Sequence, residues 1–468
     1  MGLTCADINV GLLLEFIKQE LNNIPAVKSA LLVIVSICQE HSSASVYFQD
    51  IGGLKVVHKL ARSDASSSLK EIALQAMGSL ANCNVLCQQS LCTPEFFDEM
   101  MTVIADEDSG VNLQMESVSV LLSLVSKNRT GQMLLREVGC IPILLKLFRE
   151  TLTKSEIEPS NGSFKEKCSL WHAVCKTLGA AVSNPVNVEN QKICGSTLQH
   201  IQTLLEAPMN QEIICPLCLF IGLTLQDNPL VQKFFISVGG LDNLADIFTK
   251  LARESPRNIS SAKMAVAVTV AMGVCIADNP PGGRILAKHH VVPKLLILLL
   301  LEGLNSEEKN GVLLTLGHAV VSCEQNLILL IQNNGLSLIA DSLSESHNEV
   351  KNLIIFIVLH NCEILVKNLA VRLLENASQE ILGLCEQGED FGRIQTIQNT
   401  LPDETIEREE DEEQGPEIDD IIGDSVLKDS DQEEALPNQC SVLSAQICHP
   451  SANAPEDINR VQEPPKEE

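Results

Sequence analysis

Cysteine pairs at short spacings are the residues of this 468-residue chain whose types could bind a metal ion. Cys215 and Cys218 have the CxxC spacing of zinc ligands, but no second close pair stands at a suitable distance. Structural zinc needs four ligands. Cys83, Cys87 and Cys92 form a second group, again without an evident fourth ligand. We therefore expect core and turn cysteines, and we predict no metal and no cofactor.

The histidines and the short catalytic motifs give no reaction centre. His289 and His290 lie at a break between two apolar segments, where capping of a helix is the expected role. His318 lies beside a glycine and could face a groove, but we interpret it as a core histidine with satisfied hydrogen bonds. There is no glycine loop ending in Gly-Lys-Ser/Thr, no GxSxG and no HExxH. The sequence predicts no catalytic residues and a protein that is not an enzyme.

A repeat of about 43 residues must position all of these side chains. In residues 220–248, an apolar helix is followed by the polar turn 227–229, a short helix, a break at Gly239 and Gly240, and a second apolar helix. Apolar residues stand four before Gly239 and two, five and eight after it. The same spacing, in places only partly, surrounds positions 52, 95, 139, 196, 290 and 334.

Two further landmarks keep the same register. Eleven residues before the first landmark stand Asn84, Asn128, Asn228 and Asn279, with His41 and Cys323 at the odd copies. Glycine recurs seventeen residues before it, at positions 78, 179, 222, 273 and 317. Glycine inside a helix costs about 1 kcal/mol relative to alanine, so this recurrence predicts a close approach of two backbones. Three helices per period predict an all-α, armadillo-type helical-repeat solenoid.

The period also sets the expected domains. Residues 1–385 form the solenoid of about seven to eight repeats, beginning with helices at 3–21 and 27–39 and ending with one at 350–385. A loop insertion is expected at 154–167 and a smaller one at 255–261.

Residues 386–468 form an acidic and largely disordered tail, because they are rich in proline and glutamate. The weak apolar island 418–427 in this tail is the candidate docking segment that the sequence offers. No groove residue can be assigned to a partner from the sequence.

Charge and cysteine content restrict the partners and the compartment. The net charge is −28, and residues 386–468 carry 24 acidic and five basic side chains. Such a chain is a poor direct partner for a phosphate backbone, so we expect no direct DNA binding. Most cysteines lie in apolar helices and are expected to be reduced, as in the cytosol or nucleus. The most apolar run, 295–301, is far shorter than the roughly 20 residues that span a bilayer, so no transmembrane segment is expected.

The repeats resemble armadillo repeats, as in GCIPILLKLF at 139–148 and VVPKLLILLL at 291–300. The nuclear import receptors of this class share an asparagine ladder near the end of the third helix. The corresponding places here hold Ser79, Ser123, Leu223, Val274 and His318. This departure argues against recognition of basic import signals by the same means.

A more specific resemblance, over about residues 8–365, is to the telomere bouquet formation family. It rests on ASVYFQDIGGL (44–54), NRTGQ (128–132), FIGLTLQDNPLVQKFFISVGGLD (220–242), CIADNP (275–280), LTLGH (314–318) and VLHNC (358–362). The resemblance implies a nuclear scaffold that attaches telomeres to the inner nuclear membrane in meiotic prophase, supporting chromosome movement, homologue pairing and synapsis. It also implies four partners: a second bouquet formation protein, a membrane-anchored junction protein, the SUN/KASH bridge and shelterin.

One family feature is not found in this sequence. Family members typically end in a basic Myb-like domain, whereas this sequence ends in acidic residues and holds Trp171 as its single tryptophan. Shelterin contact through such a domain is therefore not expected. The alternative function is a generic armadillo adaptor of the transport or adhesion type.

Overall fold

The computed structural model describes residues 4–63, 66–106, 108–152, 162–206 and 211–343, and the fold is stated for these residues. They begin with α1 (Cys5–Gln19) and α2 (Ile24–Glu40). Six three-helix repeats follow: α3 (Ser42–Asp50), α4 (Gly53–Ala61), α5 (Ser67–Cys83); α6 (Val85–Leu91), α7 (Pro94–Ala105), α8 (Val111–Val125); α9 (Arg129–Glu137), α10 (Cys140–Thr151), α11 (Gly162–Val182); α12 (Val188–Gly195), α13 (Leu198–Leu205), α14 (Gln211–Leu225); α15 (Pro229–Ser237), α16 (Gly240–Glu254), α17 (Ile259–Ile276); α18 (Pro280–Lys288), α19 (Val291–Leu299), α20 (Ser306–Ser322). Helices α21 (Glu324–Gln332) and α22 (Gly335–Leu343) begin a further repeat.

The third helices of the repeats form one continuous row. Helix α2 contacts α5, and each of α5, α8, α11, α14 and α17 contacts the next third helix along the chain. Contacts between successive second helices are less extensive. Since the elements on the inside of a curve pack more closely, the third helices line the concave face, as in other solenoids. No strand occurs in the described residues, and the all-α solenoid is confirmed.

The glycine landmark is the left-handed residue between the first and second helices. Gly52, Gly139 and Gly239 have φ values of +76°, +83° and +81°, and His290 and Asn334 adopt the same conformation at the equivalent place. Positions 95 and 196 lack it, because 95 lies inside α7 and Ser196 has a φ of −58°. The predicted break is thus confirmed where the left-handed conformation ends one helix and starts the next.

The asparagine landmark marks the start of each first helix. Asn84, Asn128, Asn228 and Asn279 are N-cap residues. The side chain of Asn228 accepts a hydrogen bond from the backbone N–H of Val231, which satisfies one of the free amides of the first turn. His41 and Cys323 occupy the same position before α3 and α21. The landmark therefore marks the N-cap position, and the side chains of Asn84 and Asn228 also make the capping hydrogen bond there.

Glycines inside the third helices lie against the next third helix. A Cβ added to Gly179 would lie 2.9 Å from Leu223 Cδ1, and one added to Gly78 would lie 3.7 Å from the Cα of Val120. Gly222 and Gly273 are buried in α14 and α17. The close approach predicted for these positions is found at Gly78 and Gly179.

The predicted insertions are partly wrong. Helix α11 begins at Gly162, so residues 162–167 are helical and not part of a loop. Phe164 is buried there, which extends the apolar face of the helix into the expected loop. Near 255–261, only residues 255–258 separate α16 from α17. Much of the additional length lies in α16, whose buried Leu251 extends its packed face by a turn. Residues 153–161, the expected helix at 350–385, the tail and the island 418–427 lie outside the described residues.

Helix α17 is the core helix of the C-terminal repeats. It is 18 residues long with a mean hydropathy of 1.8, so by length and composition alone it could cross a membrane. Its apolar stretch is longer than the run 295–301. Helices α14, α16 and α20 pack around it, and 78% of it is buried. Packing inside the solenoid accounts for its apolar composition.

Candidate protein-binding surface

A row of glutamine side chains connects each first helix to the end of the next third helix. Four residues after the N-cap asparagine of α6, α9, α12 and α15 stands a glutamine whose Nε2 donates to main-chain oxygens near the end of the third helix of the same repeat. We call this set the glutamine ladder, and its members are Gln88, Gln132, Gln191 and Gln232. The last four carbonyls of a helix have no partner within that helix, and the ladder supplies partners for some of them.

Gln132 is the most extensively bonded member of the glutamine ladder. Its Nε2 lies 2.9 Å from the oxygen of Ala180, 2.8 Å from that of Ser183 and 3.0 Å from that of Pro185. Its own backbone oxygen accepts from Nδ2 of Asn190 at 3.1 Å. The side chain is fully buried. The Nε2 contacts fix α9 against the end of α11 in the same repeat, and the Asn190 bond connects α9 to the next repeat, because buried polar groups without partners are costly.

The glutamine ladder stops at Gly283, which occupies the equivalent place in α18. A Cβ at this position would collide with the side chain of Ser322 and approach that of Cys323. The end of α20 therefore fills the space that a glutamine would need. Asn326 Nδ2 reaches back and donates to the oxygen of Gly283 at 2.9 Å and to that of Ala319 at 2.9 Å. The contact between α18 and α20 is closer, and an asparagine of the next repeat supplies the donor instead.

The positions expected to correspond to the import-receptor asparagine ladder do not form a polar binding row. Ser123, Leu223, Val274 and His318 are all buried, while Ser79 is partly exposed. Ser123 Oγ donates to the backbone oxygen of Ser119 in its own helix. The amides of this solenoid lie instead on the first helices. A glutamine four residues after each capping asparagine was the sequence signal for them, and our sequence analysis missed it.

Apolar side chains are exposed at the N-terminal end of the described solenoid. Ile8, Leu12 and Phe16 follow one another along α1, and the side chain of Leu12 is 65% exposed. On the third-helix row, Leu32 is 52% exposed beside a cleft of about 110 Å³ between α2 and α5. Terminal repeats of a solenoid usually present a polar outer face. Contiguous exposed apolar side chains of this kind mark surfaces that bind other molecules.

A basic cleft of about 780 Å³ lies beside α4 and the end of α1. We define the basic cleft by its four cations Lys18, Lys55, Lys59 and Arg62 and its apolar residues Leu21, Val56 and Leu60, with His58 at its edge. His58 Nε2 lies 2.9 Å from Glu99 Oε2, and Arg62 lies 3.6 Å from Oε1 of the same carboxylate. This concentration of positive charge contrasts with the net charge of the chain.

The cysteine groups do not come together as ligands. No three His, Cys, Asp or Glu side chains within the described ranges are arranged to hold a metal ion. Cys215 is half-buried and Cys218 buried within α14. Burial raises the pKa of Cys215 to about 11 and that of Cys38 to about 12, so these thiols stay protonated at neutral pH. A protonated thiol is a poor nucleophile and a poor metal ligand.

The histidines have the positions expected from the sequence with one correction. His289 ends α18 and His290 precedes α19, so both occupy the expected cap positions, although the His290 side chain makes no capping hydrogen bond. The two ring nitrogens of His289 lie 3.0 Å from Asp242 Oδ1 and 3.2 Å from Asp246 Oδ1. The expectation for His318 was wrong, because its Nε2 is buried without a hydrogen-bond partner. Burial lowers the pKa of His318, so the ring is neutral at physiological pH.

Helix order and packing define the class of this molecule, which is an armadillo-type helical-repeat protein. The chain is 48% identical over 367 residues to telomere repeats-binding bouquet formation protein 1 of Homo sapiens, 44% over 370 residues to that of Mus musculus and 36% over 361 residues to that of Danio rerio. The alignments cover 78%, 79% and 76% of this chain and 50%, 48% and 43% of the respective relatives. The chain thus spans about half the length of the relatives it matches. The resemblance to bouquet formation proteins is confirmed.

Other comparisons add little to this assignment. No protein-family profile matches the chain. A designed armadillo repeat protein is 17% identical, covers 57% of this chain and 99% of its own length, and has a TM-score of 0.43. At this TM-score the likeness carries no argument, and the fold rests on the helices described above.

Proposed function

We propose that the chain is a non-enzymatic scaffold that helps attach telomeres to the inner nuclear membrane in meiotic prophase. The observation that carries the proposal is the 48% identity over 367 residues to a protein whose name states telomere binding and bouquet formation. The proposal includes a nuclear location at chromosome ends and a contribution to chromosome movement, homologue pairing and synapsis. Its proposed partners are a second bouquet formation protein, a membrane-anchored junction protein and the SUN/KASH bridge.

The geometry supports a scaffold more than a catalyst. Gln132 and its equivalents join the first and third helices within a repeat through hydrogen bonds. Asn190 and Asn326 add buried hydrogen bonds between successive repeats. An extended concave surface is the feature that helical-repeat proteins use to bind partners. The exposed apolar residues of α1, with Leu12 at their centre, offer a further surface for a protein partner. We assign residues 1–385 to this scaffold.

Localisation in meiotic prophase cells tests the proposal. A fluorescent fusion of the full chain should form foci at chromosome ends on the nuclear rim. Diffuse cytoplasmic signal would contradict the proposal and favour a generic armadillo adaptor.

Two variants separate surface binding from folding in this experiment. Leu12→Glu places a charge on the exposed stripe of α1 and should weaken the foci while the purified chain keeps its melting temperature. Lys233→Glu changes an exposed residue of α15 away from this stripe and should leave the foci intact. Equal foci for both variants would exclude the α1 surface from the attachment function.

A further inference from the structure

We propose that the basic cleft binds the acidic segment 403–427 of the same chain. This segment contains twelve acidic residues and one basic residue, Arg408. Its last ten residues include the apolar island 418–427, in which Ile418, Ile421 and Ile422 stand among aspartates. The proposal concerns a contact within the chain and does not depend on the telomere function.

Two cations of the basic cleft have no counter-ion in the described part of the chain. Lys55 and Lys59 are exposed and form no ion pair there, whereas Lys18 pairs with Glu15 and Arg62 lies near Glu99. The cleft therefore retains positive charge after its internal pairs are formed. An acidic peptide could form charge-assisted hydrogen bonds with both free ammonium groups.

Interaction with the helix dipoles explains the positions of some cations of the basic cleft, but not of all of them. Lys18 and Lys59 lie in the last turns of α1 and α4, where a cation interacts favourably with the negative end of the helix. Lys55, however, is the third residue of α4 and lies at the positive end of that helix. A cation there is disfavoured by the dipole, and a bound anion gives it a role.

Apolar surface in the basic cleft matches the second half of the segment. Leu21 is 43% exposed, and Val56 and Leu60 line the same cleft. A purely ionic site would not need this apolar surface. A segment that carries isoleucines directly after an acidic run can use both parts of the cleft, which favours 403–427 over a simple polyanion.

The chain is long enough for the contact to form within one molecule. In the row of third helices, α20 is six helices away from α2. Neighbouring helix axes are about 9 Å apart, so the distance along the row is roughly 55 Å. The eighteen residues from 385, the end of the assigned solenoid, to 403 can span up to about 60 Å when extended, which is comparable with this distance. A tethered segment also has a high effective concentration, so moderate affinity suffices for occupancy.

Carbodiimide cross-linking of the full chain tests the contact. This reagent joins ammonium and carboxylate groups that touch, and mass spectrometry identifies the pairs. We expect Lys18, Lys55 and Lys59 to be joined to acidic residues of 403–424, with a strong loss at 1 M salt, where the Debye length is about 3 Å. Exposed Lys233 and Lys250 serve as internal controls. Cross-links spread evenly over all five lysines would overturn the proposal.

Isotope mixing and proteolysis complete the test. In an equal mixture of ¹⁴N and ¹⁵N chains, cross-links should join residues of the same isotope. Mixed-isotope links as frequent as same-isotope links, the result of random pairing between molecules, would overturn the same-chain contact. Trypsin cleavage after Arg408 should become roughly tenfold faster in Lys55→Glu/Lys59→Glu, because cleavage follows the population of the released segment. Lys233→Glu/Lys250→Glu should leave the rate unchanged. Equal rates in both double variants, at unchanged melting temperature, would contradict the proposal.

Discussion

Gln132 Nε2 lies 2.8 Å from the backbone oxygen of Ser183, and so joins the first helix of its repeat to the end of the third helix. The same amide also contacts the oxygens of Ala180 and Pro185, so one side chain serves three carbonyls at and beyond the end of α11. The interaction requires a hydrogen-bond donor at a fully buried site. A substitution at this residue therefore reports on how the first and third helices of a repeat are held together.

Replacing Gln132 with glutamate should make stability depend on pH. A buried carboxylate facing three carbonyl oxygens is disfavoured, so the folded-state pKa of the new carboxyl should rise above its ordinary value of about 4.3. The variant should therefore lose stability relative to the parent as pH rises from about 4, until the folded pKa is passed. Urea unfolding at pH 5 and pH 8 measures this difference. Gln89→Glu, on the exposed face of α6, is the control. A pH-independent difference would contradict the donor role.

Adjacent glutamines on α6 provide a test of the glutamine ladder as a whole. Gln88 Nε2 donates to the oxygens of Ser123 at 2.8 Å and Ser126 at 3.2 Å, while Gln89 is exposed. Gln88→Ala should lower the free energy of unfolding by about 1 kcal/mol, because two partly buried carbonyls lose their donor. Gln89→Ala should change it by less than about 0.5 kcal/mol. Chemical denaturation distinguishes the two, and equal effects would show that the bond adds no stability.

Gly131→Ala should destabilise the chain markedly. A Cβ at this position would overlap the backbone oxygen of Leu124, which cannot move without shifting the end of α8. Overpacking of this kind typically costs about 1–3 kcal/mol. Gly110 has no atom near its Cβ position and a φ of −62°, so Gly110→Ala is the control for the added methyl group, with only the loss of up to about 1 kcal/mol that alanine causes at an N-cap. Thermal unfolding of both variants provides the comparison, and similar melting temperatures would rule out the close contact at Gly131.

Cys215 should react with iodoacetamide slowly and with a steep pH dependence. Burial raises the pKa of its thiol to about 11, so only about one thousandth is thiolate at pH 8. The alkylation rate should rise about tenfold per pH unit from pH 7 to pH 9, while the fold persists. Exposed Cys5 in the same sample should be labelled first. Peptide mass spectrometry at several times gives both rates. Labelling of Cys215 as fast as that of Cys5 at pH 8 would contradict its burial.

The chain should not distinguish telomeric duplex DNA from random duplex. Its net charge is −28, and the basic cleft is too small a cationic patch to neutralise many phosphates. We expect weak binding to both duplexes at near-physiological salt, so telomere targeting should require a protein partner. A gel-shift titration with the two duplexes measures this. Tight and selective binding of the telomeric duplex would exclude the scaffold mechanism in its present form.

Much of the fold was determined by short-range sequence signals. Asn228 caps a helix, Gly239 takes a left-handed conformation, and both effects act within a few residues, so their recurrence fixed the repeat and its register. Apolar spacing likewise predicted which face of each helix is buried. The insertions were less predictable, because the length of α11 depends on whether Phe164 finds a core to pack against.

The surfaces and the hydrogen bonds between distant helices were decided by tertiary structure alone. Gln132 and Ala180 are 48 residues apart, and nothing in the sequence around either residue names the other as its partner. The cations of the basic cleft are Lys18 and three residues between 55 and 62. They come together because α1 packs beside the repeat that contains α4. Local preferences depend on neighbours along the chain, whereas burial and hydrogen-bond partners depend on which helices the stacking brings together.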